Sequence, residues 1–565
     1  MSARCVDSDM PIIREMTPDS KSAFRSLIRD DTAAKPDHWV FLLYDQLNLE
    51  LIPFNSEAPD NVGIILIESL TKGKRRPYHK QKLAVLLSNL RHFALEAQAV
   101  GHPVLYVTTE GTYRNALEAL SDRGTIDFIR PAERETRLEL EPLILDGILK
   151  EHPHRGWLTP QSWFEESVGT EPPFRMDRFY RRFRRETGVL MDHSAPIGGK
   201  FSFDAENRFP WKGEPPAPSA PTYDRDEIDL EVETLVNQQF SEHPGTPDLS
   251  VQPTTGVQTE IALQFAMSVL PNFGTYEDAM SSKSRGLFHS RLATLLNLGR
   301  LMPQTVLERA LATEAPINST EGFVRQLIWR EYVHHVHEIT DGFRTLEINR
   351  SSNERRDARW WDELSEKKED EIHPNHLGQE RPLPQVFWGA ESGFACLDNT
   401  IQSVIEDGWT HHIPRLMVLG NLANLLDINP RELTDWFHVA FIDAYDWVVE
   451  PNVLGMGTFA LGDAMMTKPY VSGTPYLNKM GDHCKGCSLD PKRTCPISKL
   501  YWAYLERHKS AFEGNVRMAM PLRSLSKRNE EQKHEDAVTF ASVSDTFQRG
   551  EIWKPENLVS QIQCQ

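Results

Sequence analysis

The sequence predicts two units of different class joined by a long linker: an N-terminal α/β domain with a parallel, Rossmann-like sheet, and a large all-α C-terminal domain. Three observations predict this. Short apolar runs bounded by polar loops alternate with an amphipathic helical pattern before residue 110. A Pro-rich stretch, ENRFPWKGEPPAPSAPTYD at 206–224, admits no regular element. Beyond about residue 255, strand signals nearly vanish and long helical periodicities take over.

Residues 1–36 are polar and aperiodic and are expected to form a mobile tail. The α/β domain is expected over 37–165. HWVFLLYDQL opens it, an apolar run ending in Asp45 that reads as a buried strand entering a loop. NVGIILIESL (61–70) repeats the pattern and carries Glu68. YHKQKLAVLLSNLRHFALEAQAVG (78–101) spaces its apolar residues by three and four, which predicts a helix closed by Gly101. HPVLYVTT follows as another strand. Parallel sheets bind ligands at strand C-termini, so Asp45 and Glu68 are candidate contacts; two solvated loop acids are the plain alternative. The linker is expected over 166–254 and includes the Arg-rich RMDRFYRRFRRETG at 175–188. The helical domain is expected over 255–510, from TEIALQFAMSVL through GFVRQLIWREYVHHVHEI and RLMVLGNLANLLD to ELTDWFHVAFIDAYDWVVE. A polar extension, 511–565, ends the chain.

With 565 residues, 39% hydrophobic and 25% charged, the chain can bury sizeable cores. Lys and Arg total 62 against 81 Asp and Glu, a net charge of −19. That disfavours a protein coated in nucleic acid but allows one local basic groove. No run of about eighteen apolar residues predicts a membrane span. A secretory pattern is absent from the first forty residues, and the six unevenly placed cysteines do not form a disulfide framework. A cytoplasmic location is therefore expected.

CKGCSLDPKRTC (484–495) is the sharpest local signal, placing Cys484, Cys487 and Cys495 as C-x2-C-x7-C. A two-residue gap lets one turn present two thiolates to a soft metal. A fourth ligand could be Cys396, Cys5, Cys564 or His483; Cys396 is preferred because the other two cysteines lie in the terminal tails. Spacing alone does not separate zinc from an iron–sulfur cluster, and three unliganded cysteines in a turn are the plain alternative. His411 and His412 adjoin one another at a helix start, so they face different directions; a structural role is their plain reading. Thirteen tryptophans can mean an aromatic core or a path for single electrons, and composition does not choose.

Several motifs occur in order: DQL (45–47), YHKQKL (78–83), GGKFSFDAENR (198–208), YEDAM (276–280), LFHSRLATLLNLG (287–299), QLIWREY (326–332), WTHHIPRLMV (409–418) and DAYDWVVEPNVLGMG (443–457). With the cysteine set they resemble the photolyase/cryptochrome superfamily, and within it the bacterial iron–sulfur branch that includes prokaryotic (6-4) photolyases. The resemblance implies flavin adenine dinucleotide (FAD) in the helical domain and a 4Fe-4S cluster held by Cys396, Cys484, Cys487 and Cys495. It also implies a 6,7-dimethyl-8-ribityllumazine antenna near Asp45, Glu68 and His79. By the same resemblance, Tyr276, His289, Ser290 and Arg291 embrace the flavin phosphates, and Gln326, Trp329 and Arg330 form a wall helix. Arg415 and Asp443 flank the isoalloxazine, Asp446 joins the cofactor contacts, and Glu450 falls where relatives place an Asn opposite flavin N5. Trp388 and Trp436 match the electron relay, with Phe437 where some relatives have Tyr.

The activity so implied is light-driven repair of (6-4) photoproducts in UV-damaged DNA by a monomer, with electron transfer to a flipped-out lesion. His412 would donate a proton with His411 as helper, and Tyr470 and Tyr476 would lie near the lesion. Leu416 stands where eukaryotic (6-4) enzymes carry a second histidine. The Arg-rich run could contact phosphates or be a solvated helix face. Three alternatives are weighed: a blue-light cryptochrome photoreceptor, a cyclobutane-dimer photolyase, and a zinc-stabilised DNA-binding protein without photochemistry.

Overall fold

The structure, a computed structural model, describes residues 22–346, 350–351 and 373–558. Strands β1 (His38–Phe41), β2 (Val62–Ser69), β3 (Val104–Thr109), β4 (Ile126–Ile129) and β5 (Leu149–His152) form one parallel sheet in the order β3-β2-β1-β4-β5. In register, Val40 faces Ile64 and Ile64 faces Val104, and all three are buried. These strands read as unbroken apolar runs because helices and the second domain cover both faces. The predicted helix spans Lys80–Ala99, and Gly101 follows it at φ 108°, a conformation costly for any other residue. No strand signal marks β4 or β5 in the sequence. The latter is an edge strand whose Lys150 and Glu151 face solvent.

Residues 1–21 of the expected tail lie outside the described residues, and 22–36 are not a free tail. Phe24 is buried in the core beside Tyr106, and Ser22 Oγ donates to Glu231 at 2.8 Å. Within the linker, 206–224 lacks regular secondary structure apart from its first turn. Helices Met176–Thr187 and Glu227–Gln239 lie on either side of it, the latter packing on Lys80–Ala99.

The C-terminal part is helical, built on Gly256–Phe273, Ile317–Ile339, Ala395–Asp407, Pro430–Ala440 and Ile497–Arg507. The polar extension also packs: helix Glu530–Gln548 lies on Ile497–Arg507, and Trp553 is buried against Phe394. One apolar core runs from one face of the sheet into the helical domain; a second lies between the other face and helices Lys80–Ala99 and Glu227–Gln239. The long pattern at 432–450 is not one helix. It stops at Ala440, passes through Phe441–Tyr445 and resumes at Asp446. Pro414 and Pro451 lack backbone N–H groups, and the turns that contain them open into wide π-type geometry over Pro414–Gly420 and Glu450–Gly457.

Candidate functional site

The break at 441–445 places Asp443 opposite the widened turn that carries Arg415. Two 2.9 Å bonds join their fork and carboxylate, and Arg415 Nε donates to Thr410 O at 2.7 Å. A bidentate pair of this kind fixes the plane of both groups. The guanidinium also sits 4.2 Å over the Phe441 ring. Asp443 O accepts from Asn297 Nδ2 at 2.9 Å, and Asn297 Oδ1 accepts from Arg330 Nε at 2.9 Å. Arg330 thus leans toward the α/β domain, 4.4 Å over Trp157 and 5.1 Å from Trp447, and burial lowers it to about 10.

Beside this pair three imidazoles meet. His289 stacks on His411 with centroids 4.1 Å apart, and the His412 ring stands edge-on, 5.2 Å from His289. Glu277 lies next to them and accepts from Gln326 Nε2 at 2.7 Å, from Asn207 Nδ2 at 2.8 Å and from Arg325 NH2 at 3.3 Å. Tyr470 and Tyr476 share this neighbourhood, with Asp204, Arg208 and Asp278 acting on both phenols. Burial and the Glu277 carboxylate push Asp278 up to about 6, and Tyr476 hydrogen-bonds it. His412, Tyr470 and Tyr476 thus share charged neighbours, Asp204 among them, and His411 packs beside His412. Asp204, Arg208, Glu277 and Asp278 were missed as members because charged residues in turns carry no periodic signal, and Arg325 because a charge on helix Ile317–Ile339 reads as a solvated face.

Ser290 and Arg291 line a separate recess with Tyr223, Gln252, Thr294 and Trp409. The Arg291 guanidinium lies 4.5 Å over Trp409, and burial lowers its pKa. Tyr276 stacks on Phe288, and its hydroxyl donates to Glu214 O at 3.0 Å. Trp329 Nε1 donates to Asn452 Oδ1 at 2.9 Å. Glu450 is enclosed among His337 (3.0 Å), Arg344 (3.3 Å) and Arg431 (2.6 Å), and the two guanidinium groups hold its carboxyl well below the usual range despite its burial. Both Glu450 oxygens are thus engaged inside the domain, and Asn452, two residues on, is the side chain that meets the Ile317–Ile339 helix at Trp329. Asp446 also faces elsewhere: its Oδ2 caps the Arg134–Leu145 helix of the α/β domain.

An aromatic file leads outward from Phe441. Phe441 stacks on Phe437 at 5.0 Å and meets Trp436 at 5.7 Å; Trp436 meets Phe387 at 5.3 Å. The next residue, Trp388, is 38% exposed, whereas Trp436 is buried.

The four cysteines converge from three segments. Cys396 opens helix Ala395–Asp407, Cys484 and Cys487 lie in a tight turn, and Cys495 precedes helix Ile497–Arg507. None is in a disulfide among the described residues. Burial and the three other thiols push Cys396 up, and burial with Cys495 and Cys487 raises Cys484 to about 11. Leu489 N donates to Cys487 Sγ at 3.5 Å and Thr474 Oγ1 to Cys495 Sγ at 3.7 Å. His483, the alternative ligand, is occupied by Asn399 Oδ1 at 3.1 Å; Cys5 and Cys564 lie outside the described residues. Four half-buried thiols that act on one another from three segments form a donor set that fits a thiolate-bound centre.

The three antenna candidates do not converge. Glu68 takes a bidentate bond from Arg91 (3.0 and 3.2 Å) and one from Tyr106 OH (2.7 Å), and lines an apolar recess of roughly 620 Å³, partly open to solvent, with Tyr44, Lys72, Lys82 and Tyr445. Asp45 instead lines an interdomain cavity with Arg330, where burial and Glu133 push it up to about 7. His79 caps a helix through Nδ1 and bonds Ile405 O through Nε2 at 2.8 Å, so both its nitrogens serve the fold.

The model of the deoxyribodipyrimidine photo-lyase-related protein family matches residues 40–250, and that of the FAD binding domain of DNA photolyase matches 323–471. Over 518 residues the chain is 31% identical to a (6-4) photolyase of Agrobacterium fabrum, covering 88% of this chain and 97% of that protein. A bacterial class III photolyase from Agrobacterium tumefaciens superposes with a TM-score of 0.50 at 16% identity, covering 91% of this chain and 98% of that one. A Synechocystis cryptochrome gives 0.53 at 13%, covering 90% and 99%. At those identities the two structures speak for the fold alone. The near-complete alignment with the Agrobacterium fabrum protein, on this sheet order and helical domain, shows that the chain belongs to the photolyase/cryptochrome superfamily, in its bacterial iron–sulfur branch.

Proposed function

We propose that the protein is a DNA photolyase that repairs (6-4) photoproducts. The observation that carries this reading is the His411–His412 pair beside Arg415 and Asp443, with Tyr470 and Tyr476 under the same charged neighbours as His412. Bound FAD, once reduced and excited by light, supplies the electron that the lesion accepts. The chain's residues do the rest. Arg415 and Asp443 hold a fixed charge pair at the flavin's flank, and Ser290 and Arg291 offer donors to its phosphates. The lesion leaves the duplex at a cost of only a few kcal/mol because a damaged pair is weakly stacked. Tyr470 and Tyr476 wall the receiving pocket, and His412 delivers a proton from a ring nitrogen.

A cyclobutane dimer needs no such donor, so His412 argues for the (6-4) lesion. The four cysteines are the ligands we assign to a 4Fe-4S cluster. The Glu68 recess is where we place a lumazine-type antenna. Anaerobic illumination with a (6-4)-containing oligonucleotide against a dark control tests the reading. Restored pyrimidines support it; efficient flavin photoreduction without repair would make the protein a photoreceptor.

A further inference from the structure

We propose that His289, His411 and His412 hold one proton between them, and that His289 is a positioning residue through which His412 is recharged. For the acceptor of that proton, this rests on the photolyase reading above; the shared proton itself does not. One ring nitrogen from each of the three lies within 4.8 Å of the other two, a gap that one bridging water spans. His289 Nε2 and His411 Nδ1 are buried and have no hydrogen-bond partner among the described residues. With the Glu277 backbone beside the ring and Nε2 unpartnered, we assign the His289 ring proton to Nδ1, which leaves the lone pair on Nε2. A buried, oriented lone pair without a donor is costly, and a shared proton satisfies it.

The geometry does not suit a metal ion. The rings of His289 and His411 are stacked, 4.1 Å apart and 18° from parallel, so their in-plane lone pairs run side by side instead of converging. Two protons are equally disfavoured, because adjacent imidazolium ions in a dry site repel strongly. Burial and the neighbouring imidazoles lower His289 and His411, and burial lowers His412. The charged groups around the unit oppose one another: Glu277 and Asp204 favour its proton, Arg325 and Arg415 disfavour it, and His483 adds to the cost at His411. An incoming DNA phosphate adds negative charge and shifts that balance toward protonation.

The step balances simply. A ring N–H bond of His412 breaks as the bond from that hydrogen to the lesion forms. In the same step the other ring nitrogen of His412, the one that faces its neighbours, takes the shared proton from His411 or His289, so all three imidazoles end neutral. The unit is then one proton short until the lesion or solvent returns it.

The test uses flavin-loaded protein labelled with 15N-histidine, and the His289→Gln variant, whose side chain can hydrogen-bond but not titrate. In the wild type, the three imidazoles should titrate together with a total uptake of one proton. At equal flavin loading, His289→Gln should move the basic limb of the repair–pH profile down by about half a unit, a roughly threefold loss on that limb. Three independent titrations in the wild type, or superimposed pH profiles, would overturn the proposal. A wild type that titrates cooperatively but repairs nothing would overturn the photolyase reading and leave the shared proton standing.

Discussion

Asp446 Oδ2 accepts the backbone N–H of Arg134 at 2.7 Å, so a carboxylate of the helical domain caps the Arg134–Leu145 helix of the α/β domain. The helix's own N-cap, Glu133, makes no side-chain cap bond because Lys72 and Tyr44 hold its carboxylate. Arg134 returns the contact with two bonds to Asp341, and Arg130 binds Glu338. An anion at a helix N-terminus is favoured by the unpaired N–H groups and the helix dipole.

Asp446→Ala should therefore loosen the two domains from each other. The expected cost is about 1–2 kcal/mol, as for other lost caps, and Asp446→Asn, which keeps an acceptor oxygen, should cost less. Thermal unfolding with limited proteolysis at the interface reads this out. Equal melting of the Ala variant and the wild type would show that the bond contributes nothing.

The cysteine site predicts a sharp result. Cys396 is the one of the four cysteines far from the 484–495 turn in sequence, and it brings the Ala395–Asp407 helix to that turn. Cys396→Ser should strip the centre of iron and sulfide and lower the stability of the C-terminal half, with flavin retained. Anaerobic iron, zinc and labile sulfide analysis decides it. About one zinc per chain in the wild type, with no iron, would refute the cluster.

How far the sequence could be read follows from the range of each interaction. The Lys80–Ala99 helix and strands β1 to β3 were legible because their burial patterns are local and strong. β4 and β5 were not: Asp127 interrupts one, and Lys150 and Glu151 make the other look like a loop, since it is held in place by its neighbour in the sheet. At the site, adjacency in sequence found His411 and His412, but nothing local announces that His289 stacks on His411 across 122 positions. Asp45 and Glu68 looked alike as acids at strand ends, and His79 joined them through the resemblance alone. Only tertiary packing sends Asp45 toward Arg330 and gives His79 to a helix cap.

Asp45 makes a pH prediction. Its folded pKa lies near 7, raised by burial and Glu133, above its ordinary value near 3.8. A carboxyl raised on folding contributes stability at low pH that is lost as pH rises from about 4 through 7. Its Oδ1 has no hydrogen-bond partner among the described residues, in keeping with a group that is costly to ionise. Asp45→Asn removes this titration. The melting temperature of the variant relative to wild type should therefore rise between pH 5 and pH 8, at up to about 1.4 kcal/mol per pH unit. Parallel melting curves across that range would show that Asp45 does not titrate there.

The aromatic file makes the last prediction, which concerns how electrons reach the flavin site and leaves repair chemistry aside. Trp388 is the exposed end, Trp436 the buried middle, and Phe441 the ring under the Arg415 guanidinium. Phenylalanine is hard to oxidise, so Phe387, Phe437 and Phe441 can serve as packing or medium, while the tryptophans can carry a hole. Trp388→Phe should slow photoreduction by roughly tenfold or more, a barrier increase of about 1.4 kcal/mol. Its partial exposure keeps the stability cost below about 1 kcal/mol. Trp436→Phe should slow photoreduction too, but the loss of volume at a fully buried site costs more, which makes it the less clean variant. Chemically reduced Trp388→Phe should repair at the wild-type rate, because the relay is then bypassed. A variant that photoreduces normally would move electron entry away from Trp388. One that is slow even after chemical reduction would place Trp388 in the repair step itself.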